Sequence, residues 1–143
     1  MNQKYQKITV AGLLIHNNNV LIVKRSEKED FLCGYYELPG GKVDFNEHPE
    51  EALIREFKEE TNLNIIPKEI YRVFTYISHE KQRHTIELVY LVELNDKIEN
   101  LKLSEEHNDF KFISLDELNK YKLSDEIKLN IKLGLKESLL KTN

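Results

Sequence analysis

The chain is organised around residues 40–63, GGKVDFNEHPEEALIREFKEETNL, which begin with two glycines and end in a stretch rich in glutamate. Glu56, Glu59 and Glu60 are spaced at i, i+3 and i+4, so on an α-helix they fall within about 100° of one another. Like charges at these spacings repel one another by roughly a few tenths of a kcal/mol per pair. This acidic ridge therefore lies either in water or beside a cation.

The residues around the ridge predict where its helix begins and ends. Pro49 suits the first helical position, and His48 stands at the N-cap. Asn62 is expected to be the C-cap, because asparagine is the second choice after glycine for the left-handed conformation found there. An apolar arc lies beside or opposite the acidic ridge and comprises Leu53, Ile54 and Phe57. The helix should thus have a core side and an acidic side.

Apolar, β-branched runs elsewhere in the chain predict strands. These predicted strands are residues 8–15, 20–24, 71–78, 85–94 and 110–113. A short helix is expected from Ser114 and a final helix over residues 124–140, while residues 64–66 are too short to assign and residues 95–108 form an irregular connection. The order of strands, helix, strands and helix contains too few βαβ units for a doubly wound sheet. It predicts an α/β fold with a mixed sheet and helices on both faces.

Two segments carry details that bear on a site. Residues 36–43 read as an extended segment broken by a turn, in which Gly40 and Gly41 either take a positive φ or allow a close backbone approach. Residues 85–94 are apolar on both of their alternating faces, which is typical of a central strand. Glu87 interrupts one of these faces, and a buried carboxylate there needs a partner.

Composition restricts the class of protein. The 143 residues, 40% hydrophobic and 32% charged, predict one globular domain over residues 1–143. A net charge of −4 argues against binding to duplex nucleic acid, which needs a basic face. No apolar stretch is long enough to span a membrane, no signal peptide is recognisable, and the lone Cys33 suits a reducing compartment. We therefore expect a cytoplasmic protein.

The acidic ridge has two interpretations when it is considered by itself. A run of charges is usually a solvated surface. Three carboxylates on one helix are also a set of hard oxygen ligands, which suits Mg²⁺ or Mn²⁺ better than zinc. A phosphate-binding P-loop is excluded, because Val43 follows Gly41-Lys42 where serine or threonine is required.

Residues 41–63 resemble the Nudix box, the signature of the Nudix hydrolases, whose pattern is G-x5-E-x7-R-E-U-x-E-E-x-G-U with U a bulky apolar residue. Gly41, Glu47 and the segment 55–63, REFKEETNL, match every specified position except one, where Asn62 replaces the last glycine. The preceding residues 37–40, ELPG, and the later residues 110–118, FKFISLDEL, also resemble the family. The resemblance favours a metal site over a solvated surface, and it implies the Nudix fold, an α/β/α sandwich with a mixed central sheet.

The resemblance implies a Mg²⁺-dependent pyrophosphohydrolase that cleaves a nucleoside triphosphate or another nucleoside diphosphate derivative by attack of water on phosphorus. Glu56, Glu59 and Glu60 are then the catalytic residues and metal ligands, with the Gly40 carbonyl as a further ligand and Glu56 as the first candidate for general base. A small nucleotide is a better expectation than capped RNA. The alternative is a non-catalytic Nudix module that binds a nucleotide or ADP-ribose as a sensor.

Further candidates lie outside the ridge. Many family members recruit another carboxylate; Glu106 is preferred here over Glu105 and Glu87. The residues expected to bind substrate are Arg25, Gly41, Lys42 and Glu87, with a solvated loop arginine as the alternative for Arg25. Arg55 is expected to brace the loop–helix junction through Glu47, although a surface pair with Glu51 or Glu59 is the alternative. His79 and His84 are candidates for the pocket rim, and Tyr36, Phe74 and Tyr76 either stack on a base or belong to the core.

The loops and the final helix bear on substrate specificity and oligomeric state. Substrate specificity is expected to depend on loops 27–35, 78–84 and 95–109, whose residues indicate no particular base, sugar or attached group. The final helix has one apolar stripe at Ile127, Ile131 and Leu135 and a second at Leu129, Leu133 and Leu140. The second stripe is expected to be buried within the monomer, with a C2 homodimer as the alternative.

Overall fold

In the computed structural model the described residues are 3–26, 33–78 and 80–141. Within these ranges the strands are β1 (Tyr5–His16), β2 (Asn19–Arg25), β3 (Tyr36–Glu37), β4 (Gly40–Lys42), β5 (Ile65–Ser78), β6 (Arg83–Leu94) and β7 (His107–Ile113). The helices are α1 (Pro49–Thr61) and α2 (Asp125–Lys141), with short 3-10 helices at Ile98–Asn100 and Leu115–Lys120. The predicted loop 27–35 lies partly, and His79 wholly, outside the described residues. Neither α-helix has the length and apolar character needed to cross a bilayer.

The sheet is mixed, as predicted, with the order β3-β2-β1-β6-β5. Strands β1 and β6 are parallel, whereas β1 with β2, β2 with β7 and β5 with β6 are antiparallel. Strands β1 and β2 pair directly only beside their connecting turn, at Ile15 with Val20 and His16 with Asn19. Beyond that point β4 takes the place beside β1 and β3 takes the place beside β2. The short β3–β4 segment is therefore wedged between the two halves of the sheet.

Each face of the sheet has its own hydrophobic core. Helix α1 buries Ala52, Leu53 and Phe57 against one face. Helix α2 covers the other face with Ile131, supported by the partly buried Ile127. The two faces of β6 divide between these cores; Tyr90 and Val92 lie on the α1 side and Val89 and Leu91 on the α2 side. The predicted central strand and the α/β/α layering are thus confirmed.

The caps of α1 agree with the sequence. The imidazole of His48 accepts the backbone N–H of Glu50 at 3.3 Å, and Glu51 accepts the backbone N–H of His48 at 3.1 Å, which completes a capping box. Asn62 is left-handed, with φ of 64°. Asparagine thus performs the role that glycine has in the family pattern. Ile54 is exposed, so the expected apolar arc is narrower than predicted.

Three segments differ from the expectations. β5 starts at Ile65, well before the predicted residue 71, because irregularities in its pairing near residues 67–72 interrupt the alternation by which strands are recognised. β7 starts at His107, inside the segment expected to be irregular. On α2, Leu129 and Leu140 are exposed, so the expectation that the second stripe is buried within the monomer is wrong. A single layer of helix against a sheet can cover only one stripe of α2.

Candidate active site

The two glycines of β4 let this strand pass very close to β1 and α1. Gly40 and Gly41 pair with Ala11 and Val10 of β1. A Cβ atom on Gly40 would overlap the Val10 carbonyl oxygen, and one on Gly41 would overlap the carboxyl group of Glu56. Neither glycine has a positive φ. The close backbone approach is therefore the correct one of the two expectations, and the left-handed turn is wrong.

The acidic ridge divides into two inward glutamates and one outward glutamate. Glu60 is only 4% exposed, and its Oε1 accepts the backbone N–H of Gly40 at 2.9 Å. Glu56 and Glu60 both line one cavity between the sheet and the start of α2. The side chain of Glu59 is 57% exposed, lies 3.4 Å from Arg55 and does not line that cavity. The predicted set of three is thus only partly brought together, because residues at i, i+3 and i+4 still span an arc of the helix that reaches solvent.

Arg55 ties the loop before α1 to the ridge. Its Nε and Nη2 donate to both carboxylate oxygens of Glu47 at 2.8 and 2.9 Å, and Nη1 donates to Glu56 Oε1 at 2.9 Å. Nη2 also donates to the carbonyl of Lys42 at 3.0 Å. The predicted brace through Glu47 is present, since a planar guanidinium can meet one carboxylate with two bonds and still reach a second. Arg55 lowers the pKa of Glu47 to about 2.

The Glu47 carboxylate should make folding stability depend on pH. Its pKa falls from 4.5 in the unfolded chain to about 2 in the folded protein, so its contribution is complete above pH 4.5 and is lost as the pH falls towards 2. We expect Glu47→Gln to be less stable than the original protein at pH 7, with the difference shrinking by pH 3. Urea unfolding at both pH values measures this. The control is Glu105→Gln, an exposed residue outside this network, and a Glu47→Gln difference of equal size at both pH values would contradict the assignment.

A cavity of about 730 Å³ lies between the α2 side of the sheet and the start of α2. Its floor is made by residues that share one face of three neighbouring strands, as their register shows. These are Lys7, Thr9 and Ala11 of β1, Arg83 and Glu87 of β6, and Phe74 and Tyr76 of β5. At the wedge formed by β3 and β4 the cavity reaches Glu56 and Glu60 of α1. One continuous space thus joins the acidic ridge to the sheet face.

The end of the cavity beside α1 is strongly negative. Glu106, the preferred further carboxylate, stands in the loop before β7 and lines this end with Glu56 and Glu60. Burial raises the pKa of Glu60 well above its ordinary range, and the charges of Glu37, Glu56 and Glu106 raise it further. One ligand atom each from Glu60, Glu106 and His107 lie within 4.8 Å of one another. Converging carboxylate oxygens fit a divalent cation, so the residues suit the metal that the sequence implies.

Two residues of this end were missed in the sequence. Glu37 of β3 receives Arg25 Nη1 at 3.1 Å and His107 Nε2 at 2.8 Å, and His107 is 5% exposed. Arg25, a predicted substrate ligand, thus lines the cavity while paired with Glu37. Glu37 stands in the ELPG segment, which was noted only as a family landmark. His107 directly follows the predicted Glu106, but its place in a strand was not recognised.

The lining of the same cavity also carries positive charge. Lys42, predicted to bind substrate, lines the cavity together with two residues that the sequence did not suggest, Lys7 and Arg83. The pKa of Lys7 is lowered by burial and then by the charges of Arg83, Lys42 and Arg25. Cations that crowd one another beside a cavity favour an anionic ligand. Alternate spacing along β1 would have placed Lys7 with Thr9 on one face, but only the pairing with β6 shows which face is the cavity floor.

The predicted aromatic and histidine candidates have mixed outcomes. Phe74 and Tyr76 line the cavity, with ring centroids 6.0 Å apart. Tyr36 also borders it but belongs to the core, and its hydroxyl donates to Asp109 at 2.6 Å. His84 pairs with Gln6 on the opposite face of the sheet, so its expected place on the pocket rim is wrong.

Comparisons with known proteins agree with this geometry. A family model described as the NUDIX domain matches residues 6–132. The chain is 30% identical to an ADP-ribose pyrophosphatase of Methanocaldococcus jannaschii over 83% of its own length and 68% of that protein. It is 38% identical to an 8-oxo-dGTP diphosphatase of Proteus vulgaris, over 46% of this chain and 57% of that enzyme.

A solved structure is similar over almost the whole chain. The MutT protein of Methanosarcina mazei Go1 superposes with a TM-score of 0.81 at 26% identity, covering 94% of this chain and 96% of that one. The sheet, the two layers of helix and the position of the acidic helix thus form a known arrangement. The family match and the site geometry together show that this chain belongs to the Nudix hydrolases.

Proposed function

We propose that this Nudix hydrolase is a Mg²⁺-dependent pyrophosphohydrolase that cleaves a nucleoside triphosphate or another nucleoside diphosphate derivative. One observation carries the proposal. A single cavity is lined both by converging carboxylates and by clustered cations. A nucleoside polyphosphate needs both, because its phosphates bind a divalent cation and also attract lysine and arginine.

In this proposal Glu56, Glu60 and Glu106 hold the metal, together with the Gly40 carbonyl. Glu59 would join them by turning its exposed side chain from solvent towards Glu56. Bound Mg²⁺ or Mn²⁺ would polarise the phosphate oxygens and lower the pKa of water. Arg55 positions Glu56 through their 2.9 Å hydrogen bond. Glu56 is the first candidate for general base, since burial raises its pKa and so increases the basicity of its carboxylate.

The substrate would be bound by the cavity walls. Arg25 and Lys42 can pair with phosphate oxygens, while the small Gly41 leaves room beside Glu56. Phe74 and Tyr76 offer aromatic surface to a base, and Glu87 offers a polar contact. The similar proteins are an ADP-ribose pyrophosphatase and an 8-oxo-dGTP diphosphatase, which supports a small nucleotide as substrate.

A panel of nucleoside triphosphates, ADP-ribose and related nucleotides, each with Mg²⁺, Mn²⁺ or EDTA, tests the proposal. We expect hydrolysis of at least one compound that needs the divalent cation and releases pyrophosphate or a nucleoside monophosphate. The rate in EDTA should fall by at least about 10²-fold. A rate that is unchanged in EDTA would refute the metal site. Binding of a nucleotide without hydrolysis across the panel would instead support the sensor alternative.

A further inference from the structure

We propose that Glu87 determines base specificity, and that it selects nucleobases whose hydrogen-bonding edge presents two adjacent N–H donors, as the guanine edge does. This inference rests on the proposed function and names the substrate class of the same cavity. It concerns a carboxyl group on the cavity floor, away from the acidic helix.

The position of Glu87 follows from the register of three strands. Glu87 of β6 lies directly opposite Thr9 of β1 on one side and Phe74 of β5 on the other. All three side chains line the cavity. Thr9 Oγ1 donates to Glu87 Oε1 at 3.0 Å, and among the described residues Oε2 has no hydrogen bond. Each carboxylate oxygen has two acceptor sites, so Oε2 and the second site of Oε1 can both accept hydrogen bonds from a ligand in the cavity.

The neighbouring aromatic rings favour a planar ligand. Phe74 and Tyr76 are nearly parallel, with 27° between their planes, and Tyr76 is only partly buried. Nucleobases stack on aromatic side chains with gains of roughly 1–3 kcal/mol per base. Tyr76 and Glu87 both belong to the cavity floor. A base that contacts Tyr76 would therefore bring its polar edge close to Glu87.

The charged groups around Glu87 leave its carboxyl without an ion pair. Arg72 of β5 is the facing cation, but its guanidinium is bound to Glu126 at 2.8 Å and Asn130 at 2.7 Å and lies 4.4 Å from the Phe74 ring centroid. Burial raises the pKa of Glu87 to about 7, and the charges of Glu37 and Glu126 raise it further. N–H donors from a ligand would stabilise the ionised form that the protein itself leaves unsatisfied.

The chemistry of the group then selects among bases. An ionised carboxylate only accepts hydrogen bonds, so it matches two adjacent N–H groups. Adenine and cytosine present a donor beside an acceptor, and the acceptor would face a carboxylate oxygen without a proton between them. Glutamine has nearly the same shape but presents one acceptor and one donor group. Glu87→Gln should therefore reverse the preference while filling the same space.

The test compares kcat/KM for GTP, ATP, CTP and UTP with Mg²⁺ in the original protein, Glu87→Gln and the control Glu93→Gln. Glu93 is an exposed residue on the same strand, paired with Lys68. We expect GTP to be preferred over ATP by about tenfold or more in the original protein and in Glu93→Gln, and the GTP:ATP ratio to fall at least about tenfold in Glu87→Gln. A preference for ATP or UTP in the original protein overturns the inference, and so does an unchanged ratio in folded Glu87→Gln.

A metal-free measurement separates this inference from the proposed function. Binding of GMP and AMP is measured by calorimetry in EDTA, where hydrolysis cannot occur. If the original protein hydrolyses no nucleotide of the full panel yet binds GMP better than AMP, with the preference lost in Glu87→Gln, the proposed function fails and the base assignment stands. Equal binding of GMP and AMP by the original protein overturns the base assignment whatever the result for hydrolysis.

Discussion

Replacing Glu60 by glutamine is expected to lower kcat/KM by at least about 10²-fold, since it removes a charged metal ligand from the centre of the site. Glutamine keeps the length of the side chain, and its carbonyl can still accept the Gly40 N–H that Glu60 Oε1 accepts at 2.9 Å. The loss should therefore reflect the missing charge and not a rearrangement of β4.

The same substitution should not destabilise the metal-free protein. The pKa of Glu60 is raised in the folded state, chiefly by burial, so above pH 4.5 folding must either retain a proton or bury a charge. This cost is absent at pH 4, where the carboxyl is largely protonated in both states, and grows as the pH rises. We expect Glu60→Gln in EDTA to have a Tm at pH 7 equal to or above that of the original protein, with the difference disappearing near pH 4.

Activity and Tm are measured together, with and without Mg²⁺. Magnesium should raise the Tm of the original protein more than that of Glu60→Gln, because a ligand stabilises the folded state in proportion to its binding. Glu59→Gln should show a comparable loss of rate of at least about 10²-fold. Glu50→Gln, an exposed substitution in the first turn of α1, is the control. Full activity in Glu60→Gln would contradict the assignment of Glu60 as a metal ligand.

Gly40→Ala and Gly41→Ala form a pair in which adjacent, identical substitutions should have different consequences. The new methyl group at Gly40 would overlap the Val10 carbonyl oxygen, part of the backbone of a central strand that cannot move aside. We expect a loss of about 3 kcal/mol in the free energy of unfolding, and a Tm lower by roughly 10 °C. At Gly41 the methyl group meets only the carboxyl end of Glu56, which can rotate away.

Gly41→Ala should thus cost less than about 1 kcal/mol in stability, because a flexible side chain absorbs the overlap. It should still reduce kcat/KM by about tenfold or more, because Glu56 loses its position in the site. Urea denaturation and steady-state kinetics on both variants separate the two effects. Equal destabilisation by both substitutions would contradict this prediction. It would show that the backbone around β4, and not the Glu56 carboxyl group, opposes a methyl group at Gly41.

Much of the acidic helix could be predicted because its determinants are local. The proline start, the His48 N-cap and the left-handed Asn62 depend on residues within a few positions of each end, and all appear in the structure. The brace between Arg55 and Glu47 likewise spans only one loop and two helical turns. Interactions of this kind are encoded by residue type and spacing.

The cavity floor was harder to predict because it combines residues that are distant in sequence. Lys7, Arg83 and Glu87 share a face only because β1 and β6 pair in parallel at one register. A shift of one residue would turn each of them to the other side of the sheet, as His84 illustrates. His107 and Glu37 meet because β3 and β7 both pair with β2. No local pattern reports such pairings.

The family, the mixed sheet with helices on both faces and the helix that carries Glu56 and Glu60 could all be predicted from the sequence. Caps, apolar periodicity and motif spacing are properties of neighbouring residues. Three features follow from the folded arrangement alone: Glu59 faces solvent, Lys7 and Arg83 line the cavity that contains Glu56 and Glu60, and Glu87 lies beside Thr9 in that cavity. The positions of these side chains depend on strand register and on the insertion of β3 and β4 between the halves of the sheet. Both depend on which distant segments bury their apolar faces together.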